Sequence, residues 1–181
     1  TEEALFRLQQ RFNQVLIDTP DQAHLIDAVL DTILSLDALD GGGIYNLRPD
    51  GGYELIAARG ISMNFISTAI DISPDSPRAA LIERAEPVCS CLAVTPGCTD
   101  VSLIHQPHIR EEGITALLVL PVVVNGKPQG SFNLASKHAA SIPLAIKNFL
   151  VSLVRQYGQA LERLQAKQEA LEQRRNLEGF F

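Results

Sequence analysis

The chain's three cysteines, Cys89, Cys91 and Cys98, fall within a ten-residue stretch, and His105 and His108 follow close behind. Thiolates and imidazoles are soft donors, so this cluster could hold zinc or iron, and a single histidine could hold a haem. The Cys89-Ser90-Cys91 pair could instead close a reversible disulfide and sense redox state. The same residues also fit a small core position at a strand start, Cys89, followed by a loop carrying the other two. Cys89, Cys91, Cys98 and His105 are therefore candidate metal or redox residues, and the three readings stay open. A second constellation is charged: Asp71, Asp75, Arg78, Glu83 and Arg84 surround one short helical stretch. Arg78 could meet an anionic ligand in a cleft; the alternative is a solvated helix face. His24 and His138 stand apart and read as surface residues.

Other chemistry is missing. There is no P-loop, no GxGxxG unit, no HExxH and no nucleophile elbow. Gly41-Gly42-Gly43 lacks the following helix and lysine of a phosphate cradle and reads as the entry to a strand. The chain has 181 residues, 46% of them hydrophobic, enough for one domain with a real core. Fifteen Lys and Arg against 21 Asp and Glu give a net charge of −6. That balance argues against nonspecific binding to nucleic acid or to an anionic membrane. No apolar run approaches the roughly 20 residues of a membrane span. No signal peptide is visible, and an odd cysteine count does not make a disulfide framework, so a cytoplasmic location is expected.

The elements that must position these residues centre on Gly113 to Ser136. Ile114 to Val124 is an apolar run suited to a buried strand. Asn125-Gly126 is a type I′ hairpin signal, and Gln129 to Ala135 returns with Phe132 and Leu134 alternating against Ser131 and Asn133. Pro121 cannot donate to a ladder, which places it at a bulge or beside free carbonyls. Upstream, Thr1 to Ile17 and Asp21 to Leu36 carry helical periodicity. Gly42 to Leu47 and Tyr53 to Arg59 form a second hairpin around the turn chemistry of Arg48 to Gly52. From Gly60 to Glu112 the periodicity is weak: a short strand at Thr68 to Ile72, a helix from Asp75 to Ala85, a strand starting at Glu86 to Cys89, an irregular Cys91 to Gln106, and a short helix at Pro107 to Glu112. A long helix starts near Pro143 and runs almost to the end. Its wide apolar face narrows after Val154 to a heptad stripe in which Gln168 and Arg175 are polar. Leu5, Leu8, Phe12 and Val15 at one end, and Val154, Tyr157, Leu161 and Leu164 at the other, are the expected homodimer interface. A helix folded back on its own domain is the alternative.

With its elements in this order, the chain resembles a GAF domain over about residues 20–165. The likeness rests on Leu39 to Tyr45, on Tyr53 to Gly60, and above all on Glu112 to Val122 with Gly126 to Ser136. It implies an α+β fold: an antiparallel sheet with helices on one face, an irregular ligand-covering segment on the other, and long terminal helices. Residues 1–19 would form an N-terminal signalling and dimerisation helix, 20–165 the sensor domain, and 166–181 a coiled-coil linker to a further domain. The resemblance implies a noncatalytic sensor that binds a small molecule and signals through its exit helix to a downstream output domain of the same protein, such as a histidine kinase of a two-component system. The pattern of the family's cyclic-nucleotide binders is not recognisable. The Cys-His pair of its bilin-attaching branch is also absent, since Ser90, Leu92 and Thr99 follow the three cysteines. Expected pocket residues are Ile72, Arg78, Leu81, Cys89, His105, Ile109 and Phe132, around an unidentified ligand, metal or haem. Two other readings stand beside this one. A redox enzyme on the same fold, similar to a methionine sulfoxide reductase, would draw its thiols from Cys89, Cys91 and Cys98. A structural spacer would bind nothing.

Overall fold

The computed structural model describes residues 1–179; Phe180 and Phe181, the end of the expected linker, lie outside the described residues. In chain order the elements are α1 (Glu2–Asp18), α2 (Gln22–Ile33), β1 (Gly41–Leu47), β2 (Tyr53–Arg59), α3 (Met63–Ala69), β3 (Asp71–Ile72), α4 (Pro77–Glu83), β4 (Val88–Cys91), α5 (Pro107–Glu111), β5 (Ala116–Val124), β6 (Lys127–Ser136) and α6 (Leu144–Glu178). The strands form one antiparallel sheet in the order β3-β2-β1-β6-β5-β4.

The β5–β6 hairpin lies within the sheet, flanked by β1 and β4, and its turn has the backbone its sequence requires: φ is 52° at Asn125 and 77° at Gly126. Both values are positive, as a type I′ turn demands. Pro121 pairs with Ser131 of β6, but on the other side it lies beyond Val119, the last β5 residue that β4 reaches. Its missing N–H therefore costs nothing on that edge. Helix starts follow side-chain caps: Asp21 accepts from His24 N, Ser62 from Phe65 N, and Ser76 from Ala79 N with Pro77 in the first turn.

Alternation along the strands gives the sheet two buried faces. Ile44, Leu118, Leu120, Val122, Phe132 and Leu134 point to one face, where α1, α2 and α6 cover them in the main core. Fully burying each such side chain stabilises the fold by about 1.5–3 kcal/mol. Leu117, Val119, Ala135, Tyr45 and Ile72 point the other way, under α3, α4, α5 and their connecting loops. This is the α+β arrangement the resemblance implies.

Two local readings change. The strand expected over Thr68 to Ile72 is only partly there: Thr68 and Ala69 close the helix α3, and only Asp71–Ile72 is extended. Seven residues are too few for a helical period to show against background. The apolar stripes of the two terminal helices also meet inside one chain. Leu8, Phe12, Val154, Tyr157 and Leu161 are buried in the main core, with Leu5, Val15 and Leu164 packed against it. Gln9 Nε2 donates to Gln156 Oε1 at 2.8 Å across the α1–α6 contact. From residue 166 onward α6 is exposed, including Leu171 and Leu177. Among the described residues no helix is long and apolar enough to cross a membrane.

Candidate functional site

The face of the sheet away from α6 carries a cavity of about 70 Å³, several times the roughly 10–15 Å³ that one water needs. Its walls are mostly apolar, from Leu55, Phe65, Ile72, Leu81, Ile109 and Leu117 among others. A few polar side chains converge on it: Tyr45, Arg78, Gln106, His108 and Asn133.

Local sequence explains how these are placed. Tyr45 reaches the pocket because β1 alternates, with Ile44 turned to the helix side. Its hydroxyl donates to Ala69 O, at the end of α3, at 2.6 Å. Arg78 sits in the first turn of α4, where Ser76 and Pro77 fix the helix start. Its Nη2 donates to the Tyr45 hydroxyl at 3.0 Å, and the guanidinium lies 5.5 Å from the Tyr45 ring centroid. Burial pushes the Tyr45 phenol above its ordinary value, and Arg78 partly opposes the shift. Among the described residues no carboxylate forms an ion pair with Arg78. His108, on α5, stacks on Phe65 of α3 with ring centroids 5.6 Å apart. Burial, reinforced by the Arg78 charge, holds its imidazole below the usual histidine range, although Glu111 opposes this. At neutral pH the site thus combines one fixed cation with a neutral imidazole, a phenol and amides inside apolar walls.

The helices over the pocket are tied to the linker between β6 and the exit helix. Glu112 accepts from Ser62 N at 2.9 Å and from Lys137 Nζ at 3.1 Å, and its side chain is 6% exposed. Burial raises its carboxyl, but the Ser62 and Lys137 bonds outweigh that and leave it below the usual range. Asp40, just before β1, accepts from Lys137 N on the linker into α6 and holds His138 Nδ1 at 2.7 Å; these bonds lower its carboxyl.

Of the residues the sequence nominates for the pocket, Ile72, Arg78, Leu81 and Ile109 line this cavity, and Cys89, His105 and Phe132 do not. Phe132 is turned to the helix side, edge-on to Tyr157 of α6 at 5.1 Å between centroids. His105 is exposed. Cys89, Cys91 and Cys98 do come together, with their sulfurs within 4.8 Å of one another, and His105 is not with them. They lie in the main core, on the α6 side of the sheet. The pocket residues that sequence reasoning passed over are Tyr45, Phe65, Gln106 and Asn133, and His108, named there only beside the cysteines, lines this cavity instead. Ser62, the N-cap of α3, is a signal from which α3 and hence Phe65 could have been placed. For Tyr45, the glycines before it hide the strand's alternation.

A sheet with terminal helices on one face and a roofed pocket on the other is a layout shared with a known domain family. The family model for the GAF domain matches residues 19–162, and the chain belongs to that family. Solved structures with the same fold include a domain assigned to a two-component sensor histidine kinase of Sinorhizobium meliloti, at 21% identity and a TM-score of 0.64, covering 83% of this chain and 96% of that one. The GAF domain of a phosphoenolpyruvate-protein phosphotransferase from Coxiella burnetii is 16% identical with a TM-score of 0.69, covering 91% and 96%. The chromophore-binding domain of Stigmatella aurantiaca bacteriophytochrome is 16% identical with a TM-score of 0.67, covering 87% of this chain and 60% of that one. No curated protein matches the sequence.

Proposed function

We propose that this domain is a noncatalytic sensor whose pocket takes a small, largely apolar molecule with an anionic head directed at Arg78. The observation that carries this reading is the pairing of that guanidinium with the Tyr45 hydroxyl, not with a carboxylate, at an apolar cavity. A ligand oxyanion would supply the missing counter-charge, and a charge-assisted hydrogen bond there contributes about 1.5–3 kcal/mol. The redox-enzyme alternative is less well supported, because the cysteines face α6 and not this cavity.

The signal would leave through α6 toward an output domain of the same protein, such as a histidine kinase. Asn133 and Ala135 of β6 line the pocket, and Phe132, next to Asn133 on the same strand, packs from the opposite face on Tyr157 of α6. A shift of β6 on binding would therefore reach the exit helix directly. A thermal-shift and native mass-spectrometry screen of small aliphatic and aromatic carboxylates tests the binding reading. Arg78→Met should weaken any hit by about 10- to 150-fold, the equivalent of 1.5–3 kcal/mol. Equal affinity in the variant would remove Arg78 from recognition. With a hit in hand, spin labels at position 171 report α6 pairing with and without ligand, and unchanged distance distributions at saturation would rule out transmission by this helix.

A further inference from the structure

The cysteine cluster has a geometry that the pocket does not use. Cys89 and Cys91 are two apart on β4, so both side chains point to the same face, the α6 side. Cys98 is brought onto them by a tight reversal: Thr95 and Cys98 exchange backbone hydrogen bonds, N to O at 3.2 Å and 3.0 Å. Beyond it Asp100 N donates to Cys89 O at 3.2 Å, so the chain wraps back along β4, the edge strand of the sheet. All three cysteines are buried. The Cα of Cys98 lies 4.7 Å from that of Cys89 and 6.0 Å from that of Cys91. Both separations fall within the roughly 4.4–6.8 Å that a disulfide spans. A disulfide sulfur has one sulfur partner, so the two pairings are alternatives built on a common residue.

The loop that carries Cys98 is also the loop that holds the start of the exit helix. Ala93 N donates to Ala140 O at 2.9 Å, in the linker before α6. Lys147 Nζ donates to Gly97 O at 2.9 Å. Gly97 packs so closely on Leu144 that an added Cβ would lie 2.9 Å from its Cδ1.

We propose that Cys89, Cys91 and Cys98 form a thiol–disulfide exchange site, with Cys98 as the shared partner, and that its state sets how the 92–98 loop holds the first turns of α6. The co-reactant class is a low-molecular-weight disulfide. The Cys98 thiolate attacks one of its sulfurs and releases one thiol; the Cys91 thiolate then attacks Cys98 Sγ in the mixed disulfide and releases the second. The chain gives up two electrons and two protons, and the co-reactant becomes two thiols. In the internal step the Cys89 thiolate attacks Cys98 Sγ, the Cys91–Cys98 bond breaks, and Cys91 leaves as the thiolate, with no net electron change. Burial of the sulfurs means that reaction with the co-reactant goes through opening of the loop, whose Leu92, Ala93, Val94 and Pro96 are already exposed.

The test equilibrates the full chain in reduced and oxidised dithiothreitol mixtures, quenches it in acid, then denatures, alkylates and maps the peptides. The expected result is one alkylatable thiol per chain at the oxidised end, three at the reduced end, and both the Cys91–Cys98 and Cys89–Cys98 links in the wild-type map. Cys91→Ser should keep the Cys89–Cys98 link, Cys89→Ser should keep the Cys91–Cys98 link, and Cys98→Ser should have neither. The wild-type map stands even if a serine variant does not fold. Three free thiols at every mixture would overturn the proposal. So would a stoichiometric metal ion in the wild type that is lost in Cys98→Ser, because the cluster would then be a metal site. Hydrogen exchange over residues 140–147 should differ between the oxidised and reduced chain; identical protection would remove the coupling to α6.

Discussion

Gly158 tests whether α6 is seated on the sheet as closely as the structure has it. It is buried midway along the helix, opposite the β5 end of the central hairpin. An added Cβ would lie 2.6 Å from Val123 O, against the 3.0 Å below which real Cβ atoms essentially never sit, so at least 3.0 − 2.6 = 0.4 Å must be found. The obstacle is backbone, not the end of a flexible side chain, so the helix itself must withdraw. Doing so loosens Leu153, Val154, Tyr157 and Leu161, which share its buried face. Overpacking of this kind costs about 1–3 kcal/mol. Helix propensity acts in the opposite direction, since Ala is favoured over Gly by about 1 kcal/mol in a helix interior. The expected net loss for Gly158→Ala is about 0–2 kcal/mol, or up to roughly 8 °C in Tm for a domain of this size. Gly158→Val should lose more. Chemical denaturation and calorimetry on the two variants decide the sign. If Gly158→Ala is more stable than the wild type, propensity alone governs the position and the close helix–sheet contact is wrong.

His108 gives a pH signature. Its folded-state value lies below 6.5, so its neutral form is the one the fold prefers. The stability this contributes is fully present above pH 6.5 and is lost as pH falls from there through the folded value. Denaturation midpoints measured from about pH 7.5 down to about pH 5 should therefore decline, and His108→Phe, which can keep the stack on Phe65, should flatten that part of the curve. A parallel decline in the variant would assign the effect to other groups. Self-association separates from folding along α6: Leu161→Glu places a charge in the monomer's own core and should unfold it, whereas Leu171→Glu, on the exposed half, should leave Tm unchanged. If the exposed half pairs two chains, Leu171→Glu shifts the mass seen by light scattering toward the monomer; an unchanged mass argues against pairing through that position.

What could be read in advance divides along physical lines. The hairpin around Asn125-Gly126 was legible because its turn chemistry and its alternation are both local and agree with each other. The long helices were legible from period, although period cannot say what covers an apolar face. Leu8, Phe12, Tyr157 and Leu161 read as a seam for a second copy, and the structure fills that seam with α1, α2 and the sheet. The pocket was half legible. Arg78 stood out as a charge on a short helix, but its partner Tyr45 is 33 residues away in sequence and was brought to it by tertiary packing alone. Cys89 illustrates the same limit. One-residue alternation decides which side of β4 it faces, and without the register against β5 it could be assigned equally to the pocket or to the helices.

That register also explains how one sheet can serve two sites. Cys89 pairs with Leu118 and Ser90 with Leu117. Cys89 and Leu118 share the α6 face, while Ser90 accepts from Ile104 N on the pocket side at 3.0 Å. Along β6 the same division sets Asn133 and Ala135 toward the cavity and Phe132 and Leu134 toward the helices. A strand only one residue thick cannot move on one face without moving on the other. Close packing at Gly158 leaves α6 little room to absorb such a shift. The pocket would act on the helix through β6 near Tyr157, about three and a half turns into α6, whereas the cysteine loop holds its first turns near Leu144 and Lys147. Ligand and redox state would then bear on one rigid element at two separate points, so a variant at Arg78 and a variant at Cys98 should perturb α6 additively unless the sheet transmits between them.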